Sequence, residues 1–378
     1  MSHGYTVRFT DGNEDLLDAV TGICMEKENY AVNVPKVIAK DGAYYVLDNS
    51  DSRNNFMETF TMGTSDETQT ITYTKDESIV FFEDYSGEEK SMASGGSVKP
   101  HLSQNKSFTV CENLPAGLYE LSINKFYYGS GGRIENLIID GNTVAVITRN
   151  EGVQNMTFNL AAEGKVAIGV GNNTSDCYDY ALIRKTGEAV TAEAVAISDA
   201  GYATYVTKYA MDFTASDVEA YAISSIDTEN GKVMLEKVTQ VPAGEAIIVK
   251  GSTASAAICN SAAAIANQLK HSASNIDYPA DAADTYYVLA KEGDKVVFAP
   301  VTSGTIAAGK GYFTIAKTEA AYAAPLRLTF EPGTPTAVDV VEAASNVTAK
   351  AAYNIAGQRV NANAKGLVIV GGKKIFNK

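Results

Sequence analysis

The sequence predicts an all-β chain in which several small sandwich-like modules follow one another in tandem. Short stretches alternate apolar and polar residues, as in Tyr5-Thr-Val-Arg-Phe9, and this period of two is typical of half-buried strands. Turn signals such as Asp41-Gly42 and Asp140-Gly141 separate these stretches. The length of 378 residues exceeds that of one ordinary domain, so more than one core is expected.

Charge and hydropathy exclude two classes of partner. The formal net charge of −14 argues against nucleic-acid binding, because contacts with phosphates need clustered Lys and Arg side chains. No apolar run approaches the roughly 20 residues that cross a bilayer as a helix, so no membrane span is expected. The first residues, Met-Ser-His-Gly, lack the basic and apolar regions of a signal peptide. Because Tyr5 begins a strand pattern almost at once, we expect a further segment upstream rather than a cytosolic protein.

The four cysteines lie far apart in the sequence, at Cys24, Cys111, Cys177 and Cys259. They form no CxxC pair, so neither a metal knuckle nor a redox motif is predicted. Cys111 and Cys177 fall in one predicted module, so a disulfide between them is one alternative. Two buried free thiols are the favoured alternative, since free cysteine packs as a small apolar residue.

The first predicted module covers residues 5–75. Its strand patterns are Tyr5–Phe9, Tyr30–Val34, Tyr44–Leu47 and Thr70–Thr74. This order of strands and Asp-Gly turns resembles the mucin-binding-protein-like repeats of bacterial surface proteins. The resemblance implies a β-grasp-like or immunoglobulin-like spacer.

The second predicted module covers residues 77–188 and contains about eight short strands by the alternation rule. It opens with Ile79-Val-Phe-Phe-Glu83-Asp-Tyr and includes a long strand pattern from Gly117 to Phe126. Asp140-Gly141-Asn142 is a hairpin turn signal. Strands and turns at this spacing predict a β-sandwich or jelly roll.

Four motifs of this module occur in a recognisable order. They are Phe82-Glu83-Asp84, Ala116-Gly117-Leu118-Tyr119, Ile139-Asp140-Gly141 and Tyr178-Asp179-Tyr180 with Ile183. Their order resembles the galactose-binding-like carbohydrate-binding modules, such as families 6 and 35. The resemblance implies that this module binds a polysaccharide or other glycan.

Sugar binding needs flat aromatic faces and polar side chains that hold hydroxyl groups. Two predicted loops supply both, and in the fold that the resemblance implies they lie near one end of the sandwich. Stacking on a sugar ring is expected from Tyr127 or Tyr128, and hydroxyl binding from Arg133, Asn172, Asn173 and Asp176. The alternative is that one tyrosine lies in the core and that the Asn-Asn-Thr-Ser stretch is turn chemistry. No cofactor is predicted, but related modules hold a structural Ca²⁺, for which Glu83 and Asp179 are the candidate ligands.

The third predicted module covers residues 190–331 and contains an internal duplication. Glu219–Ile223, Asn230–Leu235 and Val241–Val249 form one copy, and Tyr286–Leu289 begins a second copy about 65 residues later. Two copies predict one β-domain with pseudo-symmetry rather than a solenoid, which needs at least three. The Ala- and Ser-rich stretch from Ser252 to Leu269 is compatible with a loop or one short helix. The Ala200-Gly-Tyr-Ala-Thr204 start resembles a β-module found near the C-terminus of secreted Bacteroidetes proteins.

The C-terminal segment, residues 337–378, follows a linker with two prolines, Glu331-Pro-Gly-Thr-Pro-Thr336. It contains Tyr353-Asn-Ile-Ala-Gly357-Gln-Arg-Val360 and Lys365-Gly-Leu-Val-Ile-Val370-Gly-Gly-Lys-Lys374. Both motifs resemble the sorting tails of secreted Bacteroidetes proteins, with Val368 where the family usually has Tyr. The resemblance implies secretion or cell-surface display and contact with the secretion machinery.

No catalytic motif stands out. The three histidines, His3, His101 and His271, lie in polar surroundings, and GxSxG, HExxH, phosphate-loop and EF-hand spacings are absent. Acidic pairs such as Glu88-Glu89 are better explained as solvated surface than as a glycosidase pair. The sequence therefore predicts a non-enzymatic accessory region of a secreted or surface protein that binds polysaccharide and delivers it to a catalytic domain elsewhere. The alternative is a set of spacer and sorting modules without a ligand.

Overall fold

A computed structural model describes residues 1–48, 55–85, 101–102, 107–126, 134–148, 152–170, 176–278, 283–317, 324–331, 352–354, 359–360, 366–370 and 373–377. The elements within these residues are strands, β1 to β35, so the predicted all-β class is confirmed. The chain divides into two compact units, Met1–Pro332 and Gly333–Lys378. Among the described residues, no helix is long and apolar enough to cross a membrane.

The first module places alternate side chains in one core. In β3 the burial alternates strictly, with Tyr30, Val32 and Val34 inside, as the period of two requires. Sheets of order β2-β1-β7, β3-β6 and β4-β5-β8 surround this core. The strands are β1 (Ser2–Thr10), β2 (Asp15–Met25), β3 (Asn29–Pro35), β4 (Val37–Lys40), β5 (Ala43–Val46), β6 (Asn55–Thr61), β7 (Glu67–Thr72) and β8 (Thr74–Lys75).

The second module is a sandwich of two sheets. One sheet has the order β10-β17-β12-β15 with β9 also on β17, and the other has the order β11-β16-β13-β14. The strands are β9 (Ile79–Asp84), β10 (His101–Leu102), β11 (Ser107–Leu114), β12 (Gly117–Phe126), β13 (Ile134–Ile139), β14 (Asn142–Thr148), β15 (Gly152–Leu160), β16 (Gly164–Val170) and β17 (Asp176–Gly187).

Inward side chains of both sheets fill the space between them. Leu121 and Ile123 of β12 are fully buried against Leu137 of β13 and Ile168 of β16. The turn between β13 and β14 has positive φ at Asp140 and Gly141, 48° and 86°. Two successive positive φ values characterise a type I′ turn, whose twist suits a hairpin.

The first module packs on the outer face of β17. Val37 of β4 and Ile79 of β9 form a small apolar cluster with Tyr180 and Leu182. Beside it, Arg184 Nε donates to Asp76 Oδ2 at 3.1 Å. Burial acts to raise the pKa of Asp76, but hydrogen bonds from Ser78 and Arg184 outweigh it and lower this pKa below its ordinary value.

The third module is built around an eight-stranded sheet of order β19-β24-β21-β22-β31-β28-β27-β30. A second sheet has the order β18-β25-β20-β23, and β26 pairs with β29. The strands are β18 (Ala192–Val195), β19 (Tyr202–Val206), β20 (Met211–Asp212), β21 (Glu219–Asp227), β22 (Lys232–Val238), β23 (Gln240–Val241), β24 (Ala246–Lys250), β25 (Ala254–Ile258), β26 (Ile276–Asp277), β27 (Asp284–Glu292), β28 (Lys295–Pro300), β29 (Thr305–Ile306), β30 (Tyr312–Ala316) and β31 (Leu326–Phe330).

The duplication seen in the sequence is present strand by strand. The first repeat, β20 to β24, and the second repeat, β26 to β30, have the same order of strands about 65 residues apart. In each repeat the first and fourth strands pair, the second and third form a hairpin, and the fifth lies beside the second. Tyr221 and Tyr287, which occupy equivalent positions, are both fully buried in one shared core.

The stretch from Ser252 to Leu269 adopts neither of the two predicted forms over its whole length. Residues Ala254–Ile258 form β25, which pairs with β18 and β20, and the residues after it are extended without a helix. Ala256 and Ile258 are buried. This stretch therefore contributes a strand with buried alternate residues to the second sheet, which a count of Ala and Ser does not reveal.

The C-terminal unit contains a four-stranded antiparallel sheet of order β33-β32-β34-β35. Its strands are β32 (Ala352–Asn354), β33 (Arg359–Val360), β34 (Gly366–Val370) and β35 (Lys373–Asn377). Both motifs of the predicted tail thus contribute strands to one sheet.

The two edges of the eight-stranded sheet approach each other at Gly311, so we expect Gly311→Ala to destabilise the third module. A Cβ atom there would lie 2.9 Å from both Leu269 Cδ2 and Thr204 Cβ. Relieving such a clash costs about 1–3 kcal/mol, more than the about 0.4–1 kcal/mol gained by restricting the unfolded chain. Hydrogen exchange of the β19 and β30 amides measures the effect.

Gly4→Ala is the matched control, because a Cβ at Gly4 meets its nearest atom, in Asp66, at an ordinary 3.6 Å. Equal amide protection in the two variants would contradict the expected clash.

Candidate glycan-binding site

Strand ends of both sheets of the second module meet at one end of the sandwich. In one sheet Phe126, the last residue of β12, pairs with Cys177 of β17. In the facing sheet Glu135, near the start of β13, pairs with Val170, the last residue of β16. The segments 127–133 and 171–175 therefore begin and end at this position, which we call the loop end.

A third connection starts from the same place. Thr148, the last residue of β14, pairs with Ile134, and Gly152, the first residue of β15, pairs with Lys125. Segment 149–151 thus joins the two sheets at the loop end as well. Connections from neighbouring strand ends on a rigid sandwich are a common place for binding residues.

The predicted sugar-binding residues belong to these connections. Tyr127, Tyr128, Arg133, Asn172 and Asn173 lie outside the residues that the structure describes. Asp176 is the first residue of β17, with its backbone opposite Leu102 of β10, and its side chain is likewise outside the description. The roles of these side chains stay predictions.

A buried polar pair lies directly beneath the loop end. Asn124 Nδ2 donates to Asp179 Oδ2 at 2.9 Å, and the two residues are 1% and 2% exposed. The register between β12 and β17 shifts next to it, between Asn124 and Lys125. This irregularity is the signature of a β-bulge, which turns side chains away from simple alternation. Sequence reasoning missed Asn124, because it occupies an ordinary polar position of an alternating strand, like Glu120 and Ser122.

The predicted calcium ligands have different surroundings. Glu83 is exposed on β9 opposite Ala181, whereas Asp179 is buried and bonded to Asn124. Within the described part of the chain, no three His, Cys, Asp or Glu side chains gather where they could hold a metal ion. The calcium site stays a prediction.

Aromatic rings fill the core near the loop end. Phe108 contacts Tyr178 with ring centroids 5.1 Å apart and Tyr85 at 5.8 Å. The backbone N–H of Tyr85 donates to the Asp179 carbonyl at 2.7 Å. Burial, with a smaller contribution from Glu83, raises the pKa of Tyr85 above its ordinary value. The raised pKa keeps Tyr85 neutral at physiological pH, and the cluster of rings supports the strand ends.

The opposite end of the sandwich contacts the third module. Asn260 Nδ2 donates to Asp140 Oδ2 at 2.8 Å, and Asn142 Nδ2 donates to Ser261 Oγ at 3.1 Å. The approach is close, because a Cβ at Gly164 would lie 2.7 Å from Asn260 Nδ2. Neighbouring modules thus contact the outer face of β17 and, at the end of the sandwich opposite the loop end, the β13–β14 turn.

The structure decides between a disulfide and free thiols for Cys111. Cys24, Cys111 and Cys259 are free thiols, so no disulfide joins Cys111 to Cys177. Burial is the main cause that raises the pKa of Cys111 and of Cys259. A raised thiol pKa means little thiolate at neutral pH, which makes both groups poor nucleophiles.

Comparisons with known proteins add little. No protein-family model matches the chain, and no curated protein matches it. Among solved structures, the M60 catalytic domain with the CBM51-1 and CBM51-2 domains of Clostridium perfringens ZmpB aligns with 83% of this chain at 10% identity and a TM-score of 0.18. The alignment covers 42% of that chain. This TM-score is too low to indicate a shared fold.

We expect Asn124→Leu to destabilise the second module by about 1–3 kcal/mol, because the buried Asp179 carboxyl loses a hydrogen-bond donor. Calorimetric thermal unfolding measures the loss. The control is Asn155→Leu, on the exposed side of β15. If both variants unfold like the original protein, the Asn124–Asp179 pair does not stabilise the strand ends.

Proposed function

We propose that the second module binds polysaccharide at its loop end, and that the chain is a non-catalytic accessory region of a secreted or cell-surface protein. The observation that carries the proposal is the strand register. The pairs Phe126–Cys177 and Glu135–Val170 set the ends of four strands from two facing sheets at one position. The two segments richest in sugar-binding chemistry start there.

The residues of these segments suit a neutral, hydroxyl-rich ligand. Tyr127 and Tyr128 offer aromatic faces on which the C–H side of a sugar ring can stack. Arg133, Asn172 and Asn173 bring several donors and acceptors for hydroxyl groups. A site that combines aromatic faces with a few converging polar groups is typical of small-molecule recognition.

The contacts between modules also support a glycan site at the loop end. The first module covers the outer face of β17, and Asn260 and Ser261 of the third module contact the opposite end of the sandwich. The contact with the third module therefore lies at the end of the sandwich opposite the loop end.

Export is the second part of the proposal. The motifs around Tyr353 and Lys365 resemble sorting tails, and their described residues form the small sheet of the C-terminal unit. In this proposal the tail contacts the secretion machinery, and the glycan module delivers polysaccharide to a catalytic domain elsewhere. Spacer modules without a ligand are the competing function, and the apolar packing of the first module on β17 also suits a spacer.

We expect Tyr128→Ala to weaken polysaccharide binding about tenfold or more, because it removes a stacking face. Affinity electrophoresis of the full chain in gels of plant and host polysaccharides measures the retardation. Tyr209→Ala, which removes a half-buried ring from the third module, is the control and should bind normally. If the original protein is retarded by none of the polysaccharides, the chain is better explained as a spacer.

Deletion of residues 333–378 tests the sorting role. In the native host, the truncated protein should be retained inside the cell and should fail to reach the cell surface or the medium. Fractionation with immunodetection measures its distribution. Normal surface display of the truncated protein would exclude sorting by the tail and would leave glycan binding untouched.

A further inference from the structure

The two repeats of the third module differ in the chain segment that lies beside their second strand. Beside the first repeat, the extended residues Asn267 and Gln268 close the gap to β21. The Ile223 N–H donates to Asn267 Oδ1 at 3.1 Å, and the Gln268 N–H donates to the Ile223 carbonyl at 3.0 Å. Asn267 Nδ2 also donates to the Ala246 carbonyl at 2.6 Å. Amide groups therefore seal this side of the domain.

The equivalent side of the second repeat has different residues. With the offset of about 65 residues, Tyr202 and Ala203 take the positions of Asn267 and Gln268. Neither has a side-chain amide that can bridge two backbone groups. The second repeat therefore lacks the side-chain amides that close this side of the first repeat.

A cavity of about 630 Å³ lies where the seal is missing. The cavity lies between the segment around Ala203 and residues Val288 and Leu289 of β27. Gly311 and Thr204, which share a hydrogen bond, line one side of it. Because the other repeat closes the same place with its own chain, the cavity is a specific feature of this repeat rather than a consequence of the fold. Its volume lies within the range of small-molecule sites.

The lining combines apolar walls with a single charge. Val288, Leu289 and Ile306 contribute apolar surface, and the hydroxyl groups of Thr302 and Ser303 lie at the rim. Among the described residues that line the cavity, Lys310 is the charged one. The first repeat has Glu245 at the equivalent position, where its Oε2 accepts a hydrogen bond from Asn267 Nδ2 at 3.4 Å. In the second repeat, therefore, the closing amide residues are replaced and the charge at this position changes from Glu245 to Lys310.

We propose that this cavity binds a small organic anion with an apolar body, such as an aliphatic or aromatic carboxylate. The ammonium group of Lys310 pairs with the anionic head, and the apolar body lies against Val288, Leu289 and Ile306. A charge-assisted hydrogen bond at the edge of an apolar cavity gives both affinity and orientation. The net charge of −14 disfavours general attraction of anions, so binding must come from the local site. The site is separate from the loop end of the second module.

The experiment uses 1-anilinonaphthalene-8-sulfonate, an anionic fluorescent probe, titrated into the full chain. We expect saturable binding that octanoate displaces and 1-octanol does not, since the alcohol lacks the charge. Lys310→Glu should weaken binding about tenfold. Ala307→Phe, which adds a ring at an exposed residue of the lining, should weaken both the probe and octanoate. Lys232→Glu is the matched control, because it reverses an exposed lysine of the first repeat and should leave binding unchanged.

Three results would overturn the proposal. The first is the absence of saturable probe binding to the original protein. The second is equal affinity in Lys310→Glu and Lys232→Glu, and the third is displacement by 1-octanol as effective as by octanoate, because either would locate the probe on general apolar surface. Polysaccharide retardation of the same variants should be normal, so failure here leaves the function of the second module unaffected.

Discussion

Antiparallel pairing with a fixed register is the constraint on which the rest of the second module depends. Side chains alternate between the two faces of each strand, so a slip of one residue would move Leu121 and Ile123 from the core to the outside. The same register brings Phe126 opposite Cys177 and sets the strand ends at one level. The bulge beside Asn124 is the local departure from this order, and it places a buried polar pair beneath the connections.

The third module contains one strand pattern twice, and the two copies differ in residues outside their shared core. Both repeats bury a tyrosine at the same position and have an Ala-Gly turn before their last strand, so the shared core fixes their backbones alike. Residues outside that core are free to change. Asn267 and Gln268 close one side, whereas Tyr202 and Ala203 leave the other open. The two copies therefore share a backbone arrangement, and the different residues beside their second strands give them different surfaces.

Local patterns predicted much of this fold. Alternation around Leu121, the Asp140-Gly141 turn and the duplication all depend on neighbouring residues, which a sequence displays directly. Pairings between distant residues were not predictable in this way, because alternation does not name a strand's partner. The position of β31 and the Asn124–Asp179 bond, between residues 55 apart, are examples. For the candidate site, the chemistry of the connections could be predicted from residue types alone, whereas their common starting position follows only from the strand register.

The location of β31 has a consequence for how the molecule is made. Leu326–Phe330 is the last strand of its unit, yet it lies in the middle of the eight-stranded sheet, parallel to β22 and antiparallel to β28. While the chain leaves the ribosome, the two halves of that sheet lack their central strand until residue 330 emerges. Long-range pairing of this kind is slow to form, so the eight-stranded sheet is completed only after nearly all of its unit has been synthesised.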